Sequence, residues 1–198
     1  MSFSSCLAES DGDLVLDTSV FINLSASGAA AQILEALPNN IFMVDIAARE
    51  VREDSRNGRS DADTLQKLTH PPALEIITLD EHGLAFFESL VLALDDGEAA
   101  TIAAAVGRDA IPVIDERRAR KICGEELPGT LQASTIDLFS HPAVVRALGK
   151  DGLADIVHAA LQNARMHVRA DQRDWIMELI GGERAAGCTS IPRRQTSG

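Results

Sequence analysis

The chain has 198 residues, of which 45% are hydrophobic, so it is long enough for one domain with a full core and an appendage. Its formal net charge of -12 argues against a protein that coats nucleic acid non-specifically, because phosphate contacts require Lys and Arg. The charge does not exclude an enzyme that uses bound cations, since a metal ion reverses the local field of an acidic site.

The cysteines and the N-terminus indicate a compartment. Cys6, Cys123 and Cys188 are scattered and form no C-x-x-C pair, which predicts reduced thiols in a cytosolic protein. The first residues contain neither a basic nor an apolar signal region, so we expect no signal peptide. No apolar run approaches the roughly 20 residues of a membrane span. The sequence therefore predicts a cytoplasmic protein that does not enter the membrane.

The first regular element follows a loose leader at residues 1–12. Residues 14–16 form an apolar run that predicts a strand buried on both faces of a parallel sheet. The strand ends at Asp17, and Thr18 and Ser19 are typical of the start of a helix. Open α/β sheets bind ligands at this edge, and an unneutralised buried carboxylate is costly. We therefore interpret Asp17 as one ligand of a metal site.

The next elements bring a second carboxylate. Residues 41–44 predict a buried strand, and Asp45 is a possible N-cap of a helix over residues 46–54. On this helix Glu50 lies on the same face as apolar residues. We then expect a loop over 55–62, a helical turn over 63–68 stopped by Pro71-Pro72, a strand over 74–79 and a helix over 80–94. The side chains predicted to face inward on that helix are Leu84, Phe87, Leu90, Val91 and Leu94.

The same pattern returns further along the chain. Asp95 and Asp96 cap a helix on which Glu98 lies on an apolar stripe of small residues. Residues 111–114 then predict a buried strand that ends at Asp115, as the first strand ends at Asp17. We expect a basic helix from residue 116, a short fifth strand over 127–130, and helices over 131–139, 143–148, 153–162 and 171–180. The elements together predict an α/β protein with a mostly parallel sheet of four to five strands.

Four carboxylates are predicted to lie at strand ends or on the apolar faces of helices: Asp17, Glu50, Glu98 and Asp115. In a βαβ arrangement they converge at one sheet edge, where cations must offset their repulsion. Hard oxygen ligands suit Mg²⁺ or Mn²⁺, and such a site can activate water for phosphodiester displacement. Each carboxylate also has a structural explanation. The aspartates could be N-caps, Asp115 could pair with a nearby arginine, Glu98 could favour the helix dipole, and Glu50 could be solvated.

Four short motifs resemble those of a PIN domain, and their order and spacing make the resemblance specific. The motifs are LDTSVFIN at 16–23, AREV at 48–51, DGEAATIA at 96–103 and VIDERRAR at 113–120. The resemblance is greatest to prokaryotic PIN proteins with an Asp-Asp-Arg-Arg-Ala-Arg-type motif and a following Gly-Thr turn, here Gly129-Thr130. It implies a three-layer αβα PIN-like nuclease domain at 13–150, followed by a helical extension at 151–182 and a flexible tail at 183–198.

The resemblance implies an Mg²⁺- or Mn²⁺-dependent ribonuclease, often the toxin of a VapBC-type toxin–antitoxin pair and often a homodimer. RNA would be the substrate and an antitoxin protein a partner. The site residues that it implies are Asp17, Glu50, Glu98 and Asp115 as catalytic groups that hold the metal, Thr18 and Ser19 as supporting donors, Glu116 as an auxiliary ligand in place of the usual aspartate, and Arg117, Arg118 and Arg120 as RNA contacts. The basic helix could equally be an ordinary solvated face.

Other functions remain open at this point. A PIN-like module without catalytic activity could bind a protein or nucleic acid, and a metal-dependent phosphatase could use the same edge. A Rossmann dinucleotide enzyme is disfavoured, because no G-x-G-x-x-G follows the first strand. The helices beyond residue 150 could cover a dimer face or hold a partner.

Overall fold

The computed structural model describes residues 3–53, 61–70 and 73–192. Of the predicted loop over 55–62, residues 55–60 lie outside the described residues, whereas residues 61 and 62 belong to a helix. The predicted stop at Pro71-Pro72 and the last six residues of the predicted tail also lie outside them.

The core of the fold is a parallel sheet of four strands in the order β3-β2-β1-β4. The strands are β1 Leu14–Leu16, β2 Ile41–Val44, β3 Glu75–Ile77 and β4 Ile111–Val113. Leu14 pairs with Ile41 on one side and with Ile111 on the other. The central strand β1 is fully buried, which explains why its sequence is continuously apolar. All four carboxyl ends meet at one edge of this sheet.

Helices cover both faces of the sheet. They are α1 Thr18–Ser27, α2 Ala30–Ala36, α3 Asp45–Glu53, α4 Asp61–Leu68, α5 Glu81–Leu90, α6 Asp96–Arg108, α7 Arg117–Glu126, α8 Thr135–Phe139, α9 Pro142–Asn163 and α10 Arg173–Ala186. The backbone of α9 changes direction at Gly149 (φ 67°) and that of α10 at Gly181 (φ 80°), where glycine adopts a positive φ without strain.

Two apolar clusters on opposite faces make the protein three-layered. Leu14 and Leu16 contact the cluster that includes α1, α2, α9 and α10. Val15 points the other way, into a cluster with Ala100 and Ala104 of α6. Successive strand residues face opposite sides of a sheet, so both faces of β1 are apolar. The predicted α/β fold with a parallel sheet flanked by helices is confirmed.

Two predictions about individual elements are wrong. Within the described residues, 127–130 form no fifth strand; instead a single parallel bridge joins Val113 to Ala133. The helix predicted over 80–94 ends at Leu90, and Leu84, expected to face inward, is 48% exposed. Local apolar periodicity shows that a helix is amphipathic, but how far its apolar face is covered depends on the neighbouring elements.

The N-terminal segment and the C-terminal helices share the main core. Leu7, in the segment expected to be a loose leader, is fully buried, and Ser5 Oγ donates a 2.7 Å hydrogen bond to the Asp137 carbonyl. Helix α9 packs against α1 and α2, and α10 packs against α9. All three cysteines are free. Among the described helices, none combines the length and apolar character needed to cross a bilayer.

Candidate active site

Asp17 lies at the carboxyl end of β1 and caps α1. Its Oδ2 accepts hydrogen bonds from the backbone amide of Ser19, at 3.1 Å, and from the Ser19 hydroxyl. The side chain is only 2% exposed, and burial raises its pKa from 3.8 to about 6 despite these hydrogen bonds, with a smaller contribution from the charge of Asp115. Asp17 therefore caps α1 and at the same time places its carboxylate where the charged form is unfavourable.

Asp115 lies beside β1, just beyond the end of β4, and is held by three donors. Asn23 Nδ2 donates to Oδ2 at 2.7 Å, the backbone amide of Thr135 donates to Oδ1 at 2.9 Å, and the Thr135 hydroxyl donates to Oδ2. Burial raises the pKa of Asp115, while these hydrogen bonds and the nearby charge of Arg120 act in the opposite direction. The carboxylate is thus fixed in one orientation at the sheet edge.

Glu50 on α3 joins three helices at the same edge. The Thr18 hydroxyl, at the start of α1, donates to Oε2 at 2.7 Å. The backbone amide of Gly97, in the first turn of α6, donates to Oε1 at 2.9 Å. The inward direction predicted for Glu50 on its helix is therefore correct, and both of its oxygens have a donor.

Glu98 is the fourth carboxylate and is half-buried near the start of α6. Burial raises its pKa from 4.5 to about 7, and the next contribution is the negative charge of Asp17. Asp95 and Glu116 add to the same effect. The structure therefore brings Glu98 into the electrostatic field of the sheet edge, as the apolar stripe on α6 predicted.

The residues after Asp115 have different surroundings. Glu116 caps α7 by accepting a hydrogen bond from the backbone amide of Arg118, and its auxiliary metal role stays a prediction. Arg117 and Arg118 are exposed, as an RNA contact requires. Arg120 instead donates from Nη1 to main-chain carbonyls at 3.0 and 2.6 Å, those of residues 114 and 133. Its guanidinium thereby fixes the segment that carries Thr135 against the end of β4.

The donor set fits a hard divalent cation. Asp17, Glu98 and Asp115 are oxygen ligands whose pKa values are all raised, so each would gain from a nearby positive charge. Within the described part of the chain, no three His, Cys, Asp or Glu side chains are placed to hold an ion between them. Mg²⁺ does not require such a cage, because it keeps several waters and uses one or two carboxylates together with substrate phosphate.

Three residues of this site were missed by the sequence analysis. Asn23 and Thr135 hold Asp115, and Gly97 contacts Glu50. Asn23 lies six residues after Asp17 within the LDTSVFIN motif, which was the available signal. The Gly-Thr turn that the resemblance placed at Gly129-Thr130 is present, since the Thr130 amide donates to the Leu127 carbonyl at 3.1 Å. The threonine that contacts Asp115 is Thr135.

Comparison with known families supports the same part of the chain. A family model described as DUF3368, a PIN domain, matches residues 13–128. The matched stretch contains all four carboxylates. The match confirms the resemblance to a PIN domain and indicates a nuclease-type fold. Neither a curated protein nor a solved structure matches the chain. Helices α8 to α10 lie beyond the matched stretch.

Proposed function

Because the chain belongs to the PIN domain family, we propose that it is a metal-dependent endoribonuclease that hydrolyses the phosphodiester bonds of RNA. The observation that carries the proposal is the grouping of Asp17, Glu98 and Asp115 at the carboxyl edge of the parallel sheet, each with a raised pKa. Burying several carboxylates near one another costs free energy, and a site that binds cations and phosphate is the usual reason to retain them.

Mg²⁺ or Mn²⁺ would bind among Asp17, Glu98 and Asp115, directly to one or two of these carboxylates and through water to the rest. When bound, such an ion would stabilise charge on a phosphate oxygen and make a nearby water more acidic. The ion would also offset the burial and the repulsion from Asp17, which together raise the pKa of Glu98. Water and substrate phosphate would complete its coordination.

The other residues orient these carboxylates. Ser19 fixes Asp17, while Asn23 and Thr135 fix Asp115 through donors that leave no rotational freedom to the carboxylate. Glu50 acts through its links to α1 and α6, which keep Asp17 and Glu98 on facing elements. Such preorganisation matters because hydrolysis requires the phosphate and the attacking water to be aligned.

The test compares the wild-type protein with Asp17→Asn and Asp115→Asn. A calorimetric Mn²⁺ titration and cleavage of a mixed pool of structured RNAs are measured on the same samples. Asp13→Asn is the matched control, because Asp13 lies at the other end of β1 and accepts a 2.9 Å hydrogen bond from Asn40. We expect both site variants to stay folded and to lose metal binding and cleavage, while Asp13→Asn keeps both.

The outcomes separate the alternatives. Full cleavage by both site variants would overturn the assignment of these carboxylates. A folded wild-type protein that binds no metal would point instead to a PIN-like module that binds a partner without catalysis. Metal-dependent release of phosphate from small phosphate esters, without RNA cleavage, would point to a phosphatase.

A VapBC-type toxin is the finer form of this proposal. It is supported by the likeness of the 113–120 motif to prokaryotic PIN proteins. Expression in a bacterial host should then arrest growth, and co-expression of an antitoxin encoded by the neighbouring gene should restore it. A homodimer, measured by light scattering, is expected in the same case. Growth that continues with an active, well-expressed enzyme would overturn the toxin role and leave the nuclease role intact.

A further inference from the structure

A cleft of about 300 Å³ opens beside Asp115, and part of its wall comes from outside the matched domain. Ser19, Asn23 and Asp115 line one part of it, and Glu116 and Arg117 line another. Residues 164–167, which follow α9, complete the wall. The C-terminal extension thus reaches the carboxylate site itself.

Residues 164–169, of which the first four line the cleft, are called the strap. Met166 and Val168 are 1% and 2% exposed and belong to the main core, whereas Arg165, before Met166, and His167, between the two, are exposed. This alternation is that of an extended segment with one buried side. The strap is therefore anchored by two apolar side chains, and two of its three basic residues, Arg165 and His167, are left outside the core.

The far end of the strap is anchored as well. The backbone amide of Arg169 donates to Gln172 Oε1 at 3.0 Å, and Gln172, only 1% exposed, donates to Ser134 Oγ at 2.9 Å. Ser134 directly precedes Thr135, the residue that holds Asp115. The strap and the carboxylate are thus tied to the same short stretch of chain, which fixes the position of one relative to the other.

Arg165 has an unusual backbone. Its φ is 55°, in the left-handed region that glycine adopts without strain, and only one other described residue besides glycine has a positive φ. Arg165 directly follows Ala164, the C-cap of α9. The backbone amide of Met166, the next residue, donates a 3.4 Å hydrogen bond to the Ala160 carbonyl. Glycine is the usual residue at this position after a helix. An arginine here is a backbone outlier at the mouth of a cleft, which is where strain is associated with function.

We propose that the strap forms a phosphate-binding subsite, in which Arg165 and His167 hold the RNA backbone next to the scissile phosphate. The inference rests on the proposed ribonuclease function and names a part of its substrate site. An acidic chain repels RNA, so cations must be placed where the strand approaches the carboxylates. Arg165 and Arg117 line the same cleft as Asp115 and supply that charge, and the imidazole of His167 offers a hydrogen-bond donor beside them. Glu116 is a second acidic residue of the same lining, so the two arginines are the cations that face the strand.

The size of the cleft favours an unpaired strand as the substrate. Its volume is at the lower end of ligand pockets, which span roughly 300–1,000 Å³, so it suits about one nucleotide unit. Unpaired nucleotides can enter such a cleft, whereas a duplex presents its bases stacked and paired. We therefore expect cleavage in loops or single-stranded stretches of RNA.

The experiment uses the full chain and the variants Arg165→Gly, Arg165→Lys and Asp109→Gly. Asp109 is the backbone control, because it also has a positive φ, of 53°, and is exposed after α6, at the opposite edge of the sheet. Thermal unfolding is recorded first. Binding of a short fluorescein-labelled single-stranded RNA is then measured by anisotropy in EDTA at several salt concentrations, and cleavage of the same RNA is measured with Mn²⁺.

Both glycine variants should unfold at or above the wild-type temperature, because glycine relieves the left-handed backbone. Arg165→Gly should weaken RNA binding about tenfold and make the slope of log K against log salt shallower by about 0.7 for each phosphate that is no longer neutralised. Its cleavage rate should fall by the same factor at limiting RNA and recover at saturating RNA. Arg165→Lys should keep most of the affinity, and Asp109→Gly all of it.

The strap subsite and the nuclease can be overturned separately. Wild-type affinity and salt slope in Arg165→Gly, with RNA still cleaved, would overturn the strap subsite and leave the nuclease intact. Weakened binding in Arg165→Gly, with no cleavage by the wild-type protein, would support the subsite and overturn the nuclease. A wild-type protein that neither binds nor cleaves the RNA would overturn both.

Discussion

The backbone amide of Gly97 donates a 2.9 Å hydrogen bond to Oε1 of Glu50, across 47 positions of the sequence. The approach is close enough to exclude any side chain at residue 97. A Cβ there would lie 2.9 Å from both Glu50 Cδ and Thr18 Oγ1, and closer still to Glu50 Oε2. The contact between α3 and α6 therefore requires glycine in the DGEA motif. The same contact sets the position of the next residue, Glu98.

Gly97→Ala should disturb the site. The added methyl group must push Glu50 or the start of α6 away, which we expect to cost about 1–3 kcal/mol in the free energy of unfolding. Urea denaturation measures this cost, and Mn²⁺ titration reports the site. Gly152→Ala is the control, since a Cβ there meets only Leu148 Cβ at 4.0 Å and alanine favours the helix. Equal stability of Gly97→Ala and the wild-type protein would contradict this expectation.

Thr18→Val and Thr101→Val should have opposite effects on stability. Thr18 Oγ1 donates to Glu50, so its loss leaves one carboxylate oxygen without that donor and should destabilise by about 1–2 kcal/mol. Thr101 is fully buried, and its hydroxyl has no hydrogen-bond partner within the described structure, so valine should stabilise by about 1 kcal/mol. Chemical denaturation of both variants measures the difference, and a shift of the same sign in both would refute it.

Asn23→Ala should weaken both the fold and the site. Asn23 is 5% exposed and donates to the buried Asp115 at 2.7 Å, so its removal should cost about 1.5–3 kcal/mol, as for a hydrogen bond to a charged group. Asn40→Ala is the matched control, because Asn40 makes the same type of bond to Asp13 in an exposed position. We expect that control to change the free energy of unfolding by less than about 0.5 kcal/mol.

Asp17→Asn should stabilise the metal-free protein at neutral pH. The pKa of Asp17 is raised from 3.8 to about 6 in the fold, so the stability contributed by its protonated form is lost as pH rises through that range. At about 1.4 kcal/mol per pKa unit, the loss approaches a value on the order of 3 kcal/mol by pH 8. Asparagine remains a good N-cap and carries no charge.

Urea denaturation of both proteins in EDTA across this pH range isolates the effect of Asp17. The advantage of Asp17→Asn should be small near pH 4 and should grow toward pH 8. Adding Mn²⁺ at pH 8 should raise the stability of the wild-type protein alone, because a ligand that binds only the folded state stabilises it by mass action. A difference that does not change with pH would show that the Asp17 carboxylate is not strained.

The parallel sheet and the carboxylates at its edge could be predicted from the sequence. Apolar runs such as 14–16 and 111–113 are long enough only for buried strands, and each is followed within two residues by an aspartate. Since all strands run the same way, Asp17 and Asp115 had to lie at one edge. The apolar faces of α3 and α6 likewise determined the inward sides of Glu50 and Glu98.

The surroundings of these carboxylates, in contrast, depend on contacts between distant elements. Asn23 contacts Asp115 across 92 positions, and residues 164–167 reach the same cleft from beyond the last matched helix. In place of the predicted fifth strand there is a single bridge at Ala133, and Leu84, predicted to face inward, is exposed. Local propensity and periodicity describe a segment and its apolar side. Partners so far apart in the chain are set by how whole elements pack, and that packing depends on many weak contacts that no short motif contains.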